Sequence, residues 1–333
     1  QKGVFIFESE AEAVQAAILM HDIGHGPFSH VLENTLIHGI SHEEISLMMM
    51  NEINHDLGDN LTLAIKIFKD EYPKRFLHQL ISSQLDMDRL DYLRRDSFFT
   101  GVTEGNIGSA RIIKMLNVVD DNLVVDSKGI YSIENYLTSR RLMYWQVYLH
   151  KTTVGYEKLL VNLLSRAKYL ADQGETVFAT PALHFFLYNH IDKEAFVDNA
   201  EPLQHYKMLD DSDIWASVKA WTTHRDPILS LLSRNLIDRR IFKVEVRSTA
   251  VEEAEVMDIR HQIAQRYGLS LDATAYLVNV STIRKDMYDI HDDHISILYK
   301  DGTIKDITEA SEILNISLLS KKICKYYLCY QRF

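Results

Sequence analysis

The sequence predicts a mainly α-helical protein with a small α+β lobe at its C-terminal end. Apolar residues recur at helical spacing up to about residue 240, and beyond it they alternate as in β-strands. Two segments, Ser9–Glu12 and Ser41–Glu44, have the residue pattern of a helix capping box. We therefore expect a helical domain over residues 1–240 and an α+β lobe over residues 241–333.

The composition is that of an ordinary globular chain. Of its 333 residues 46% are hydrophobic and 25% charged, which excludes a disordered chain. No apolar run is long enough to span a membrane, and a net charge of −11 disfavours strong nucleic-acid binding. The two cysteines, Cys324 and Cys329, form neither a disulfide framework nor a metal motif. This cysteine usage, without a signal peptide, predicts a cytoplasmic protein.

The helical part divides at glycines and capping residues. The first capping box begins a helix that ends at His21-Asp22, because Gly24 and Gly26 follow. The second box begins a helix with His42 in its first turn. Further helices are predicted over residues 75–98, 132–171, 180–190 and 225–237, and a β-hairpin over residues 122–132.

The C-terminal lobe combines strands with a helix. Alternation over Phe242–Val246 predicts a strand, and Asp301-Gly302 between two alternating runs predicts a hairpin over His294–Ile307. We expect a final helix over Ser311–Tyr326.

The segment His21–His30, with the sequence HDIGHGPFSH, holds three histidines and an aspartate within ten residues. Neighbours on a regular helix point about 100° apart, so His21 and Asp22 reach one ion only where the helix ends. Gly24 supplies that end. Imidazole and carboxylate together suit a divalent metal. A lone His-Asp pair is more often a solvated helix end, but this density favours a metal site.

Two later segments place polar groups on single helix faces. Asp88, Tyr92 and Asp96 are spaced four residues apart, and so are Arg140, Tyr144 and Tyr148, with Lys151 three residues further. Cations interleaved with aromatic rings suit a phosphate chain and a sugar. Each set is also compatible with a solvated face or an amphipathic bundle helix.

The motif HDIGHGPFSH resembles the signature of the HD-domain phosphohydrolases, and its GHGPFSH part resembles their deoxynucleoside triphosphate triphosphohydrolase branch. This resemblance implies a helical HD-domain core. It also implies metal-dependent hydrolysis of deoxynucleoside triphosphates (dNTPs) to deoxynucleoside and inorganic triphosphate. Further implications are one divalent metal ion (Mn, Fe, Mg, Ni and Zn are not distinguished), a homodimer or homotetramer, and a nucleotide activator, with Arg239 and Arg240 as candidate contacts.

The resemblance also assigns residues. The metal ligands are His21, Asp22 and Asp88. The substrate contacts are Arg89, Tyr92, Asp96, Arg140 and Tyr148, with Tyr148 crowding the 2′ edge of the sugar. A glutamine that follows this tyrosine in the family is Leu149 here, which leaves recognition of the 3′-hydroxyl open. The upstream histidine ligand of the family is absent before His21, and we expect that the chain is a truncated form of a longer protein.

Four residues are candidates for catalysis: His25, His30, Glu33 and His42. We favour His30 as the donor of a proton to the leaving 5′-oxygen, with Glu33 one turn later to orient it. His42 is the second candidate, since Ser41-His42-Glu43 resembles the family's second catalytic segment. An ordinary first-turn histidine and a solvated Glu33 are the simpler interpretations. Other functions stay open: a different HD phosphohydrolase, or a nucleotide-sensing scaffold.

Overall fold

The computed structural model describes residues 2–28, 30–33, 35–285, 288, 294–311 and 323–333, without the side chains of His30 and Lys285. Helices account for 57% of it and strands for 13%, which confirms the mainly α-helical class with small β elements. No helix in these ranges is both long and apolar enough to span a membrane.

The helices are, in chain order, α1 (Glu8–Met20), α2 (His30–Glu33), α3 (His42–Asp56), α4 (Thr62–Phe68), α5 (Arg75–Gln79), α6 (Met87–Thr100), α7 (Ser109–Met115), α8 (Ile130–Met143), α9 (Lys151–Asp172), α10 (Pro181–Tyr188), α11 (Lys193–Asp198), α12 (Glu201–Lys207), α13 (Asp211–Trp221), α14 (Pro227–Ile237), α15 (Glu253–Tyr267) and α16 (Ile307–Ala310).

The strands are β1 (Ile37–His38), β2 (Leu116–Val119), β3 (Asn122–Asp126), β4 (Ile191–Asp192), β5 (Lys243–Arg247), β6 (Val278–Lys285), β7 (Ser296–Leu298), β8 (Ile304–Asp306) and β9 (Ile323–Tyr330). They form a parallel pair of β1 and β4, a sheet of order β2-β3-β7-β8 and a sheet of order β5-β9-β6.

The chain forms two compact units, each made of three segments that alternate along the sequence. The first comprises Gln1–His21, Met50–His150 and Arg284–Ile323, and the second comprises Asp22–Met49, Lys151–Ile283 and Cys324–Phe333. The domain boundary expected at residue 240 stays a prediction.

The first unit holds two apolar clusters, one around α1 and α4 and one around α6 and α8. Asp86 begins α6, because its carboxylate accepts a hydrogen bond from the Arg89 amide at 2.7 Å. Gly101, at a φ of 73°, ends this helix in the left-handed conformation. These two ends set the register of the face that carries Asp88.

The second unit packs α9 against α14 and the β5-β9-β6 sheet. A Cβ at Gly155 would lie 2.9 Å from the Val244 side chain, so glycine allows α9 to approach β5 closely. Asp226 joins the two helices. It caps α14 through the Leu229 amide and binds Arg166 of α9 with both carboxylate oxygens, at 3.2 and 2.6 Å.

The structure confirms three elements that were predicted from residues close together in the sequence. In the second capping box Ser41 N donates to Glu44 Oε2 at 3.0 Å, and Glu44 N donates to Ser41 Oγ at 3.2 Å. The strand after residue 241 is β5, and the predicted hairpin over residues 294–307 is the antiparallel pair of β7 and β8.

Five predicted elements differ from the structure. The first capping box is wrong: α1 begins at Glu8, because buried Glu10 accepts a hydrogen bond from the Phe7 amide at 2.9 Å and also binds Lys74. The predicted helix over residues 75–98 is two helices, since Asp86 caps a new one. The first hairpin turns earlier than predicted, at Asp120 and Asp121, whose φ angles are positive.

The predicted helix over residues 132–171 is interrupted by a π-helical turn at Tyr144–Tyr148, so that Lys151 begins a separate helix. The predicted C-terminal helix is wrong over residues 323–326, which belong to β9, and its part over residues 312–322 lies outside the described residues. Short apolar runs do not distinguish a buried strand from a helix.

We predict that Asp226→Ala lowers the free energy of unfolding by about 2–4 kcal/mol, because it leaves Arg166 unpaired and removes the α14 cap. Denaturant unfolding measures this change. Asp172→Ala on α9 is the control. Its carboxylate is 51% exposed and pairs with Lys168, so its loss costs at most about 1 kcal/mol.

Burial raises the pKa of Asp226, but the hydrogen bonds from Arg166 and the Leu229 amide outweigh it and hold the pKa below its ordinary value. The contribution of Asp226 to the free energy of unfolding is therefore present at neutral pH and is lost as the pH falls below about 4. Equal losses for Asp226→Ala and Asp172→Ala at pH 7 would contradict the assignment.

Candidate functional site

The predicted metal corner begins where α1 ends. After Met20 the chain turns, and His25 N donates to Asp22 O at 3.0 Å. At Gly24 the backbone lies directly against the first turns of α3: a Cβ there would be 2.2 Å from His42 O and 2.3 Å from Ser46 N. Glycine is therefore required for the corner to close onto α3.

In the first unit His21 faces Asp88. His21 Nδ1 is 2.7 Å from Ile18 O, which fixes Nδ1 as the donor and makes Nε2 the lone-pair nitrogen. Nε2 lies 3.9 Å from Asp88 Oδ1. This distance is too long for a hydrogen bond but allows an ion about 2 Å from each atom. Nitrogen and oxygen donors arranged in this way fit a divalent transition metal.

In the second unit Asp22, His25 and His42 bring their ligand atoms within 4.8 Å of one another. His25 Nε2 lies 3.7 Å from Asp22 Oδ1. The rings of His25 and His42 are stacked, with centroids 3.9 Å apart and planes inclined by 13°. His42 Nδ1 donates to Glu33 Oε1 at 3.1 Å. The carboxylate therefore orients the His42 ring and favours the tautomer with the proton on Nδ1.

Of the four catalytic candidates, the structure brings His25, His42 and Glu33 together. The backbone of His30 begins α2, and Glu33 ends that helix. The His30 side chain lies outside the described part of the structure, and its role as proton donor stays a prediction.

The predicted substrate face lies in the first unit on α6 and the π-helical turn. Tyr148 OH donates to Asp96 Oδ2 at 2.7 Å. Its ring lies edge-on to Tyr92 and to Tyr144, with centroids 6.0 and 5.4 Å away. Burial and the Asp96 carboxylate raise the pKa of Tyr148 well above its ordinary value, so this hydroxyl stays protonated. The structure therefore brings together Tyr92, Asp96 and Tyr148.

The two predicted phosphate arginines have different surroundings. Arg89 Nη1 donates to Ser83 O at 2.5 Å and contacts the Asp86 carboxylate. Arg140 Nε and Nη1, by contrast, are buried and have no hydrogen-bond partner among the described residues. Arg140 also has no ion pair with a described carboxylate within 4.0 Å.

Sequence reasoning missed Tyr136, which is fully buried one turn before Arg140. Its hydroxyl donates to Gln84 O at 2.7 Å. Burial raises the pKa of Tyr136 to about 12, although the charges of Arg140 and Arg89 oppose this rise. Its spacing of four residues from Arg140 was the available signal. Tyr206 and Ser46, which contact Gly24, gave no local signal.

The chain is similar to known proteins of one superfamily. Residues 3–96 match the family model of the HD domain, and residues 107–176 match that of the HD associated region. A phosphohydrolase structure from Bacteroides thetaiotaomicron has 64% sequence identity and a TM-score of 0.96, covering 99% of this chain and 82% of that one. The chain belongs to the HD-domain phosphohydrolase superfamily.

More distant relatives extend the HD phosphohydrolase comparison. An uncharacterized Bacillus subtilis protein is 32% identical over 98% of this chain and 75% of its own length. The deoxynucleoside triphosphate triphosphohydrolase SAMHD1 homolog of Dictyostelium discoideum is 30% identical over 50% of this chain and 36% of its own length. The HD-domain match includes His21, Asp22 and Asp88, and the associated region includes Arg140 and Tyr148.

Proposed function

We propose that this HD phosphohydrolase hydrolyses deoxynucleoside triphosphates to deoxynucleoside and inorganic triphosphate, with one divalent metal ion. The observation that carries the proposal is the pair of buried Arg140 nitrogens, Nε and Nη1, that have no hydrogen-bond partner among the described residues. A guanidinium of this kind suits phosphate oxygens. The Dictyostelium relative, named a deoxynucleoside triphosphate triphosphohydrolase, supports this substrate class.

His21, Asp22 and Asp88 are the proposed metal ligands. His21 and Asp22 are consecutive, and Nε2 of His21 lies 3.9 Å from Asp88 Oδ1. This donor set of one imidazole and two carboxylates fits Mn²⁺, Fe²⁺ or Mg²⁺. A bound divalent ion would polarise a phosphoryl oxygen and lower the pKa of a water molecule.

The arginines would bind the phosphate chain. Arg140 offers two buried nitrogens, and Arg89 carries a further buried nitrogen, Nε, without a hydrogen-bond partner among the described residues. Hydrogen bonds from such fixed donors are stronger in a dry site, and they neutralise charge that builds up on the phosphate oxygens in the transition state.

Tyr148 would select the sugar. Its hydroxyl is held by Asp96, and Tyr92 and Tyr144 lie edge-on against its ring, so the ring has little freedom to move. A ring fixed against the 2′ edge of the sugar excludes a ribose hydroxyl and accepts deoxyribose.

The leaving 5′-oxygen needs a proton. His42, oriented by Glu33 and stacked on His25, can hold a proton on Nε2 and donate it. His30, the donor favoured from the sequence, stays a candidate beside it. General-acid catalysis of this kind contributes about 10²–10⁴ to the rate.

The proposal includes a cytoplasmic homodimer or homotetramer that a nucleotide activates. It rests on the family resemblance, with Arg239 and Arg240 as exposed candidates for the activator contacts.

The product assay tests the reaction. Purified protein with Mn²⁺ and dGTP should release deoxyguanosine and triphosphate, and Arg140→Gln should lower kcat/KM by about 100-fold or more, as loss of a transition-state donor does. Arg141→Gln, next on the same helix, is the matched control and should change little. Release of pyrophosphate or monophosphate would indicate a different HD phosphohydrolase, and binding without hydrolysis a nucleotide sensor.

The metal assignment predicts that Asp88→Ala weakens Mn²⁺ binding by at least about 100-fold, the upper range for loss of a supporting partner. Calorimetric titration without nucleotide measures it. Asp91→Ala removes a carboxylate from the same helix that is 69% exposed and pairs with Arg95, and it should bind Mn²⁺ as the wild type does. Equal affinities for the two variants would refute the ligand role of Asp88.

Sugar selection predicts a higher kcat/KM for dGTP than for GTP, and a loss of this preference by about 10-fold or more in Tyr148→Ala. Tyr148→Phe keeps the ring and removes the bond to Asp96, so it should retain most of the preference. Equal wild-type rates on the two nucleotides would contradict steric selection by this ring.

A further inference from the structure

The backbone of Gly24 is held from two sides by side chains outside the proposed metal, substrate and proton-transfer residues. Gly24 N donates to Ser46 Oγ at 2.9 Å, and Tyr206 OH donates to Gly24 O at 2.7 Å. Ser46 lies on α3 and Tyr206 on α12, and both are buried. Both polar groups of this glycine therefore depend on side chains of separate helices in the second unit.

The fold is built to bring Tyr206 to this point. A Cβ at Gly26 would lie 2.8 Å from the Tyr206 hydroxyl, so a glycine there leaves room for it. The Tyr206 ring packs edge-on against Phe186 and Phe196. Burial raises the pKa of Tyr206, and the charge of Glu33 raises it further. The hydroxyl therefore stays protonated and able to donate.

We propose that Tyr206 is a positioning residue of the catalytic corner, whose hydroxyl fixes the peptide that joins Gly24 to His25. The inference rests on the proposed function, because it assigns Asp22 and His25 to the site. The carbonyl that Tyr206 binds belongs to the same peptide as the His25 amide, and that amide donates to Asp22 O. Holding this peptide fixes the His25 ring on His42 and the start of the turn at Asp22.

A second tyrosine provides a matched comparison. Tyr188 OH accepts from Val177 N at 2.7 Å and donates to Val177 O at 2.9 Å. It holds a turn that contains none of the proposed site residues. Tyr206→Phe and Tyr188→Phe thus each remove one hydroxyl that binds backbone, and only the first acts on the corner.

The experiment compares wild type, Tyr206→Phe and Tyr188→Phe by three measurements. These are hydrogen exchange of residues 21–28 without metal, Mn²⁺ affinity by calorimetry without nucleotide, and kcat and KM for dGTP. Tyr206→Phe should exchange faster, bind Mn²⁺ more weakly, and lose about 10- to 100-fold in kcat, as loss of a supporting partner does, with little change in KM. Tyr188→Phe should lose as much thermal stability as Tyr206→Phe. Its hydrogen exchange over residues 21–28, its Mn²⁺ affinity and its kcat and KM should equal those of the wild type.

Ser46→Ala removes the second bond to Gly24 and should shift the same three measurements in the same direction. If Tyr206→Phe has the hydrogen exchange and the Mn²⁺ affinity of the wild type, the inference is overturned, even if the melting temperature of this variant is lower. If the wild type binds Mn²⁺ but does not hydrolyse dGTP, the proposed function fails. The exchange and affinity measurements then still decide the role of Tyr206.

Discussion

The close approach of Gly24 to α3 is the constraint on which the candidate site depends. With His42 O only 2.2 Å from where a Cβ would stand, the corner and the first turn of α3 form one packed element. The capping box of Ser41 and Glu44 fixes where that helix begins, and therefore where His42 lies. The stacked imidazoles of His25 and His42 follow from these two features, and Glu33 then selects the tautomer of His42. A local sequence signal thus determines the position of the proposed proton donor His42.

In the first unit one buried carboxylate has a comparable role. Asp86 caps α6 and binds the Arg89 side chain, so it fixes both the register of Asp88, Tyr92 and Asp96 and the position of a cation. Burial raises the pKa of Asp86 and the charge of Arg89 opposes this rise, because the ion pair compensates for part of the lost hydration. No motif predicts either role of Asp86, since it precedes the proposed site residues in the sequence.

The sequence predicted the features that depend on neighbouring residues: the second capping box, the end of α1 at the His-Asp pair, and the line of Asp88, Tyr92 and Asp96. It did not predict the features that depend on contacts between residues far apart in the sequence. Glu10 moves the start of α1 because Lys74, far along the chain, binds it in the interior. The π-helical turn at Tyr144–Tyr148 interrupts a pattern that is continuous in sequence, and β9 lies between two strands whose pairing no local signal shows. Tyr206 was missed because it meets Gly24 across 182 residues.

Among the described residues Arg140 has no acidic partner, which is unusual in a chain with 47 acidic and 36 basic residues. Carboxylates are abundant, and an isolated buried cation is unfavourable, yet Arg140 is surrounded by tyrosines and not by a described acidic partner. It lies close enough to Tyr92 and Tyr136 for its charge to oppose the rise in their pKa values that burial causes. Because both hydroxyls stay neutral at physiological pH, they do not cancel the guanidinium charge. In the proposed function, Arg140 is therefore the charged group to which a phosphate of the substrate would bind.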